Sequence, residues 1–219
     1  MLILTLPALA LIFQPDISTL SLLIATSFLM YFLAEMPLSH TFLIGAIAVS
    51  VIFFLITLAP YRMKRLLVFL TPQLDPMGMG YQIKQAQIAI GSGGLFGKGL
   101  GMSKQKFGFL PHPTSDSVFA IFCEETGFVG SLILIAFFLI FLARGLKIGK
   151  GAKDKFSKLL SCAICLQIVL QAFLNIGSMI GVLPLTGIAL PFISYGGTHI
   201  VVELIGVGLL LNISKNSKM

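Results

Sequence analysis

Residues 117–143 read SVFAIFCEETGFVGSLILIAFFLIFLA. At 1.5 Å per residue a helix of this length reaches about 40 Å, more than the roughly 30 Å hydrocarbon core of a bilayer. Its only charges are Glu124 and Glu125. A long, nearly uncharged apolar run of this kind favours a spanning helix over a strand. Working outward, five further apolar runs cover 1–13, 20–36, 41–60, 159–180 and 192–213. The composition agrees. Of 219 residues, 57% are hydrophobic and 11% charged, with a mean hydropathy of +1.00. A soluble domain carries about 25% charge. A water-soluble fold, disorder, a coiled coil, collagen and a disulfide scaffold are all excluded. The expected fold is an all-α polytopic membrane protein with about six transmembrane helices and one large extracytoplasmic loop. With no Trp, interfacial aromatics must come from the 4 Tyr and some of the 19 Phe.

The net charge of +7 sits between apolar runs, so it points to topology and anionic lipid rather than nucleic acid. Arg144, Lys147, Lys150, Lys153, Lys155 and Lys158 face only Asp154 in a short connection, and Lys215 and Lys218 lie in the tail. The positive-inside rule assigns both to the cytoplasm, C-terminus included. The stretches 61–115 and 181–190 then fall outside. The longer one carries Arg62, Lys64, Arg65, Lys84, Lys98, Lys104 and Lys106 against Asp75, which suits an anionic group at the outer membrane face. The run 1–13 gives only about 20 Å of helix. It lacks the basic start and cleavage site of a signal peptide. It is expected to be re-entrant, or to begin inside a helix of a longer protein. The whole of 1–219 is expected to form one membrane domain containing the 61–115 loop. No long internal repeat suggests an inverted-repeat transporter.

Candidate chemistry clusters in that loop and at its exit. Gly91-Ser-Gly-Gly-Leu-Phe-Gly-Lys-Gly-Leu-Gly offers close backbone approach and free N–H groups. It is not a Walker loop, because Ser92 stands where the first Gly belongs and Gly99 follows Lys98. Its bland reading is a flexible outer loop. Asp116 sits where the loop becomes the fourth run. Ser115 or Asp116 could cap that helix, and a carboxylate at the lipid boundary could equally act as a general base toward a hydroxyl. On a straight helix Glu124 and Glu125 would lie about 12–14 Å deeper than Asp116. They would point about 80° and 180° away from it, so one is expected to pair with Lys or Arg. Glu203 is a third carboxylate within an apolar run, with His199 four residues earlier on the same face. Pro191-Phe-Ile-Ser-Tyr-Gly-Gly reads as a broken helix entry, whose freed backbone Asn175 could bind. Cys162 and Cys165 form a lone CxxC in an apolar run and read as buried small residues, not a metal site. His40 and His112 show no metal-ligand spacing.

Gln14-Pro-Asp, Pro60-Tyr-Arg, Asp75-Pro, Gly80-Tyr-Gln, the glycine-rich stretch 91–101, Gln105-Lys, Leu110-Pro, Ser115-Asp, Glu124-Glu-Thr-Gly, Asn175-Ile-Gly and Leu190-Pro-Phe-Ile-Ser-Tyr-Gly-Gly follow one another in this order. Together they resemble the SEDS family (shape, elongation, division, sporulation; FtsW, RodA and SpoVE). The stretch 99–106 is nearer the FtsW branch. The motif around Asp116 departs from the family's His-Thr-Asp-Phe, with Thr114 and Ser117 at its ends. Ser18 replaces a usual Gly, and Leu185-Thr-Gly looks more like RodA.

The resemblance implies the C-terminal part of a ten-helix fold in the bacterial cytoplasmic membrane. It implies a peptidoglycan glycosyltransferase that polymerises lipid II, with Asp116 as catalytic base and undecaprenyl diphosphate as leaving group. Arg62, Gln82, Lys98, Gln105, Lys106, Ser194 and Tyr195 would contact the substrate. Glu124, Glu125 and Asn175 would hold helices together. The implied partners are a class B penicillin-binding transpeptidase and divisome or elongasome membrane proteins, with no nucleic acid. No cofactor is identified, and a divalent cation is left open. A lipid II flippase and a non-catalytic scaffold for a transpeptidase are the alternatives.

Overall fold

A computed structural model describes residues 2–14, 16–34 and 36–217. Pro15 of the Gln-Pro-Asp motif and Lys218 of the basic tail lie outside the described residues. Among the described residues eight α-helices follow in chain order: α1 Leu2–Phe13, α2 Ile17–Leu33, α3 Leu38–Leu58, α4 Pro60–Leu70, α5 Met79–Ser92, α6 Val118–Gly151, α7 Lys155–Met179 and α8 Gly197–Asn216. No strand occurs among the described residues. Each apolar run read from the sequence is a helix. Four of them, α3, α6, α7 and α8, are long and apolar enough to cross a membrane, and α2 is a shorter apolar helix. In lipid the backbone must satisfy its own hydrogen bonds, which is why these runs become helices.

The loop 61–115 is not structureless. It opens with α4, started by Pro60 at the first helical position. A 3-10 turn over Pro72–Leu74 follows, then α5. Between α4 and α5, Asp75 takes an ion pair from Lys64 at 3.1 Å and the backbone N–H of Met79 at 3.3 Å. The Lys64 ammonium foremost, and the N–H groups of the turn, hold its carboxyl below the usual range. A lowered carboxylate contributes stability above its unfolded pKa and loses it as pH falls through the lowered value.

The α6–α7 pair is the spine of the bundle, with α2 and α8 on α7. Small residues let α6 and α7 approach closely. A Cβ at Gly145 would collide with Cys165, and one at Gly149 would press on Ser161 and Cys162. All three cysteines are buried. Asp154 caps α7 through the Ser157 N–H at 2.8 Å. Among the described helices α3 packs on α2 and α4, and it exposes Phe42, Leu43, Ile47, Phe53 and Phe54.

α6 is not one straight rod. Gly127 sits at φ 70, ψ −167, a region essentially confined to glycine. The ladder breaks there, and the loop between α5 and α6 fills the gap. The carbonyls of Glu124 and Glu125, at the end of the first half, accept the N–H groups of Lys98 and Gly99, each at 3.0 Å. The N–H groups of Phe128 and Val129, at the start of the second half, donate to Gly94 and Leu95 at 2.9 and 3.1 Å. Orphan groups on both sides of the break are thus satisfied by one loop.

The bend is sharp. Ser131 donates to the Cys123 thiol at 3.0 Å, although a straight helix separates residues eight apart by about 12 Å. The register shows where the first half goes. Gly145 faces Cys165 and Gly149 faces Ser161. Ten residues further along α7, Asn175 would face Ile135. A straight α6 would carry residue 116 about 28 Å beyond that point. Instead the Asn175 side chain bonds the Asp116 carbonyl at 2.8 Å. The segment 118–126 therefore leans back along α7. The straight-helix expectation, with Glu124 and Glu125 buried deeper than Asp116, is corrected: Asp116 lies level with Asn175, and the glutamates lie at the turn of the hairpin.

Replacing Gly127 tests the break. Besides its positive φ, an added Cβ would meet the Gly97 N–H and the Leu95 carbonyl. Gly127→Ala is expected to lower stability by about 2 kcal/mol or more, read as a drop in thermal midpoint in detergent.

Candidate active site

Three elements converge on Asp116. From α5, the Gln82 side-chain amide donates to Asp116 Oδ2 at 3.3 Å and to Ser117 Oγ at 3.1 Å. From α7, Asn175 Nδ2 donates to the Asp116 carbonyl at 2.8 Å and to that of Ile188 at 2.7 Å. From the turn before α8, Ser194 donates to the Ser115 carbonyl at 2.6 Å, and the Tyr195 N–H donates to Thr114 at 2.8 Å. Ser115 Oγ reaches Asp116 Oδ1 at 3.2 Å. The half-buried Asp116 carboxylate thus meets neutral donors only, and no ion pair reaches it among the described residues. Neither Ser115 nor Asp116 caps the helix. Ser117 is the cap residue and makes no side-chain capping bond.

Both flanks of the site carry non-glycine residues at positive φ: His112 at 52° and Phe192 at 64°. Such backbone persists where the surroundings over-determine it. The Ser115 and Ser117 N–H groups bond the His112 carbonyl. The Phe192 N–H bonds Glu203 at 2.9 Å, so Glu203 anchors the turn that carries Ser194 and Tyr195. The Tyr195 ring stands 82% exposed beside the site.

A second cluster forms at the hairpin turn. Glu124 is fully buried. It accepts from Lys98 Nζ at 2.6 Å, Ser103 Oγ at 2.5 Å, and the N–H groups of Lys104 and Gln105 at 3.3 and 3.2 Å. Glu125 pairs with Lys106 at 2.8 Å. Ser103 donates to both carboxylates, its hydroxyl to Glu124 and its N–H to Glu125 at 3.4 Å, as the loop 98–106 wraps the helix end to meet both. Lys98, Gln105 and Lys106, expected to contact substrate, are thus gathered here, at the far end of the 118–126 segment from Asp116. Arg62 lies elsewhere again, over the Tyr61 ring at 5.4 Å with Nη1 bonded to the Leu55 carbonyl at 2.8 Å.

Sequence reasoning missed Ser92, Ser103 and Ser117. Ser103 is 1% exposed and bonds Glu124 and the Lys106 N–H. Nothing in a lone serine within a glycine-rich stretch announces that role.

The family model for FtsW, RodA and SpoVE, described as a cell cycle protein, matches residues 1–219. The stage V sporulation protein E of Bacillus subtilis (strain 168) is 42% identical over 220 residues, covering 97% of this chain. The chain belongs to this family. It spans 60% of the length of that sporulation relative. A probable peptidoglycan glycosyltransferase FtsW of Idiomarina loihiensis is 41% identical over 97% of the chain and 53% of its own length. Among solved structures, a peptidoglycan synthase complex, described for its coordination of polymerization and crosslinking, matches with TM-score 0.75 at 27% identity. It covers 95% of this chain and 58% of its own. The rod shape determining protein RodA of Thermus thermophilus shares the fold, with TM-score 0.63 at 24% identity over 97% of this chain and 54% of its own. The chain is accordingly a multi-pass membrane protein with a SEDS fold.

In this SEDS chain the Glu124 cluster has a measurable cost of disruption. Lys98→Met leaves a fully buried carboxylate without its cation and is expected to destabilise by about 3 kcal/mol. Lys106→Met, at the more open Glu125 pair, is expected to cost less. Unfolding in detergent compares the two.

Proposed function

We propose that this chain carries the polymerising site of a peptidoglycan glycosyltransferase acting on lipid II at the outer face of the bacterial cytoplasmic membrane. The observation that carries the reading is the Asp116 carboxylate, held from α5, α7 and the turn before α8 and bonded by neutral donors alone. A carboxylate without a paired cation keeps its capacity to accept a proton. Asp116 takes the proton of the GlcNAc 4-hydroxyl of one glycan end. That oxygen bonds to the anomeric carbon of MurNAc on the other. The bond from that carbon to the diphosphate oxygen breaks, and undecaprenyl diphosphate leaves with the electron pair. The attack comes from the opposite face, so the new linkage is β-1,4. The carboxyl then returns its proton to water.

Gln82 and Tyr195 would orient the sugars, while the fully buried Ser194 would act by holding the Ser115 carbonyl beside the base. Lys98 and Lys106 are already neutralised by Glu124 and Glu125, so they and Gln105 would act by holding the loop near the substrate. Arg62, which has no carboxylate partner among the described residues, is the better complement for the diphosphate. A class B penicillin-binding transpeptidase would be the partner, as the synthase complex among the structural relatives suggests. The basic connection between α6 and α7 and the C-terminus would face the cytoplasm.

A second reading, lipid II transport, draws on a cavity of about 530 Å³ between α7 and α8 that includes Gln167, Gln171, His199 and Glu203. Buried polar atoms of His199 and Glu203 there lack partners, as a polar route through a membrane protein would provide.

Asp116→Asn separates the two. The purified variant is expected to fold with an unchanged thermal midpoint and to lose lipid II polymerisation by about 10³-fold or more. Glycan strands formed by that variant at the wild-type rate would remove Asp116 as the base. Translocation of lipid II retained by the variant, with no polymerisation in the parent, would favour transport.

A further inference from the structure

The apolar run of α6 ends at Ala143, but the helix continues to Gly151. From the break at Gly127 to Arg144 the axis measures about 26 Å, close to the full depth of a hydrocarbon core of about 30 Å. Lys147 and Lys150 follow along the same helix, at head-group level. Lys155 and Lys158 occupy the first turn of α7. The helix α8 starts beside the Asp116 site and runs with α6. At its end Ser217 Oγ donates to the Ile148 carbonyl at 3.4 Å. Lys215, in the last turn of α8, therefore lies within one helical turn of the level of Lys147. Three helix ends carry cations at one depth.

The carboxylate of this connection, Asp154, is turned to Ser157, taking its N–H at 2.8 Å and its hydroxyl at 2.9 Å. Among the described residues no ion pair reaches Arg144, Lys147, Lys150, Lys153, Lys155 or Lys215. Lys147, Lys150 and Lys215 are exposed. Apolar surface lies beneath them. Ile140, seven residues before Lys147, and Leu211, four before Lys215, sit on the faces of their lysines, and both are exposed. Phe156 adds an exposed ring beside Lys155. Orienting a chain needs only an excess of cations in a connection. It does not need them gathered from three helix ends at one depth above apolar side chains. That arrangement suits phosphates on the ammonium groups with acyl chains along the helices.

We propose that Lys147, Lys150 and Lys215 bind the phosphates of an anionic phospholipid in the inner leaflet, with its acyl chains along Ile140 and Leu211. This rests on the cytoplasmic placement proposed above and is independent of the polymerase reading. Such a lipid would brace the ends of α6 and α8 against each other.

The test uses purified chain in neutral detergent, titrated with diphosphatidylglycerol and phosphatidylcholine, with bound lipid counted by native mass spectrometry. The double variant Lys147→Gln/Lys215→Gln is compared with Lys84→Gln/Lys104→Gln, which removes the same charge from the 61–115 loop. Arg144, Lys150, Lys153, Lys155 and Lys158 stay in the first variant and preserve orientation. Saturable binding of diphosphatidylglycerol is expected, weakened about tenfold or more by the first variant and unchanged by the second. Should the first variant fail to fold, Lys150→Gln alone must weaken diphosphatidylglycerol several-fold and leave phosphatidylcholine unmoved. An equal loss from both double variants, or equal affinity for the two lipids, overturns the proposal. So does a glutamate-rich peptide that binds through Lys147 and Lys215 where the lipid does not, which would make this a protein-docking face. The native cysteines are buried, so Lys153→Cys offers a single accessible thiol. Its labelling by an impermeant reagent in spheroplasts overturns the inner-leaflet placement, even where lipid binding is retained.

Discussion

The arrangement depends on one break in one helix. At Gly127 the backbone leaves helical space, and four peptide groups lose their partners within α6. In a membrane protein such groups are costly unless protein replaces the lost bonds. The glycine-rich loop replaces them on both sides: Lys98 and Gly99 donate to the first half, and Gly94 and Leu95 accept from the second. Glycine is needed on the loop side as well. A Cβ at Gly97 would meet the Glu125 carbonyl, and one at Gly93 that of Cys123. Loop and break are therefore complementary parts of one joint.

Two consequences follow for the site. The joint folds 118–126 back along α7, which sets Asp116 beside Asn175 instead of a helix-length away from it. It also brings Lys98 and Lys106 against Glu124 and Glu125. The local charges cancel at the hairpin turn and leave the Asp116 carboxylate, at the other end of the same short segment, outside any ion pair. Paired charge supports the scaffold, while the Asp116 carboxylate and the arginines of α4 make no ion pair among the described residues.

Much of this was legible in residue order. The apolar runs located six of the eight described helices, although α6 continues through the basic residues to Gly151, because a backbone in lipid has few alternatives to helix. The freed backbone after α7 and the amide of Asn175 that binds it could be anticipated from Pro184, Gly187 and Pro191 breaking an apolar run. The helices α4 and α5 within the loop were less legible. Their amphipathic pattern is short and interrupted by Pro72, Pro76 and several glycines. Glu124 and Glu125 were recognisable as costly charges needing cations, yet a straight-helix wheel could not show that a loop twenty residues upstream wraps the helix end to supply both.

By itself the sequence determined an all-helical, multi-span protein of the SEDS family, with a carboxylate at a loop-to-helix boundary and a basic loop before it. Composition and periodicity are properties of neighbouring residues, and they survive without knowledge of distant contacts. Only the tertiary structure decided the position of Asp116, the partners of the lysines and the cations left unpaired. Those depend on the direction the chain takes at Gly127. A glycine permits that direction but does not choose it. The choice lies in hydrogen bonds to residues about thirty positions earlier, which local pattern does not encode.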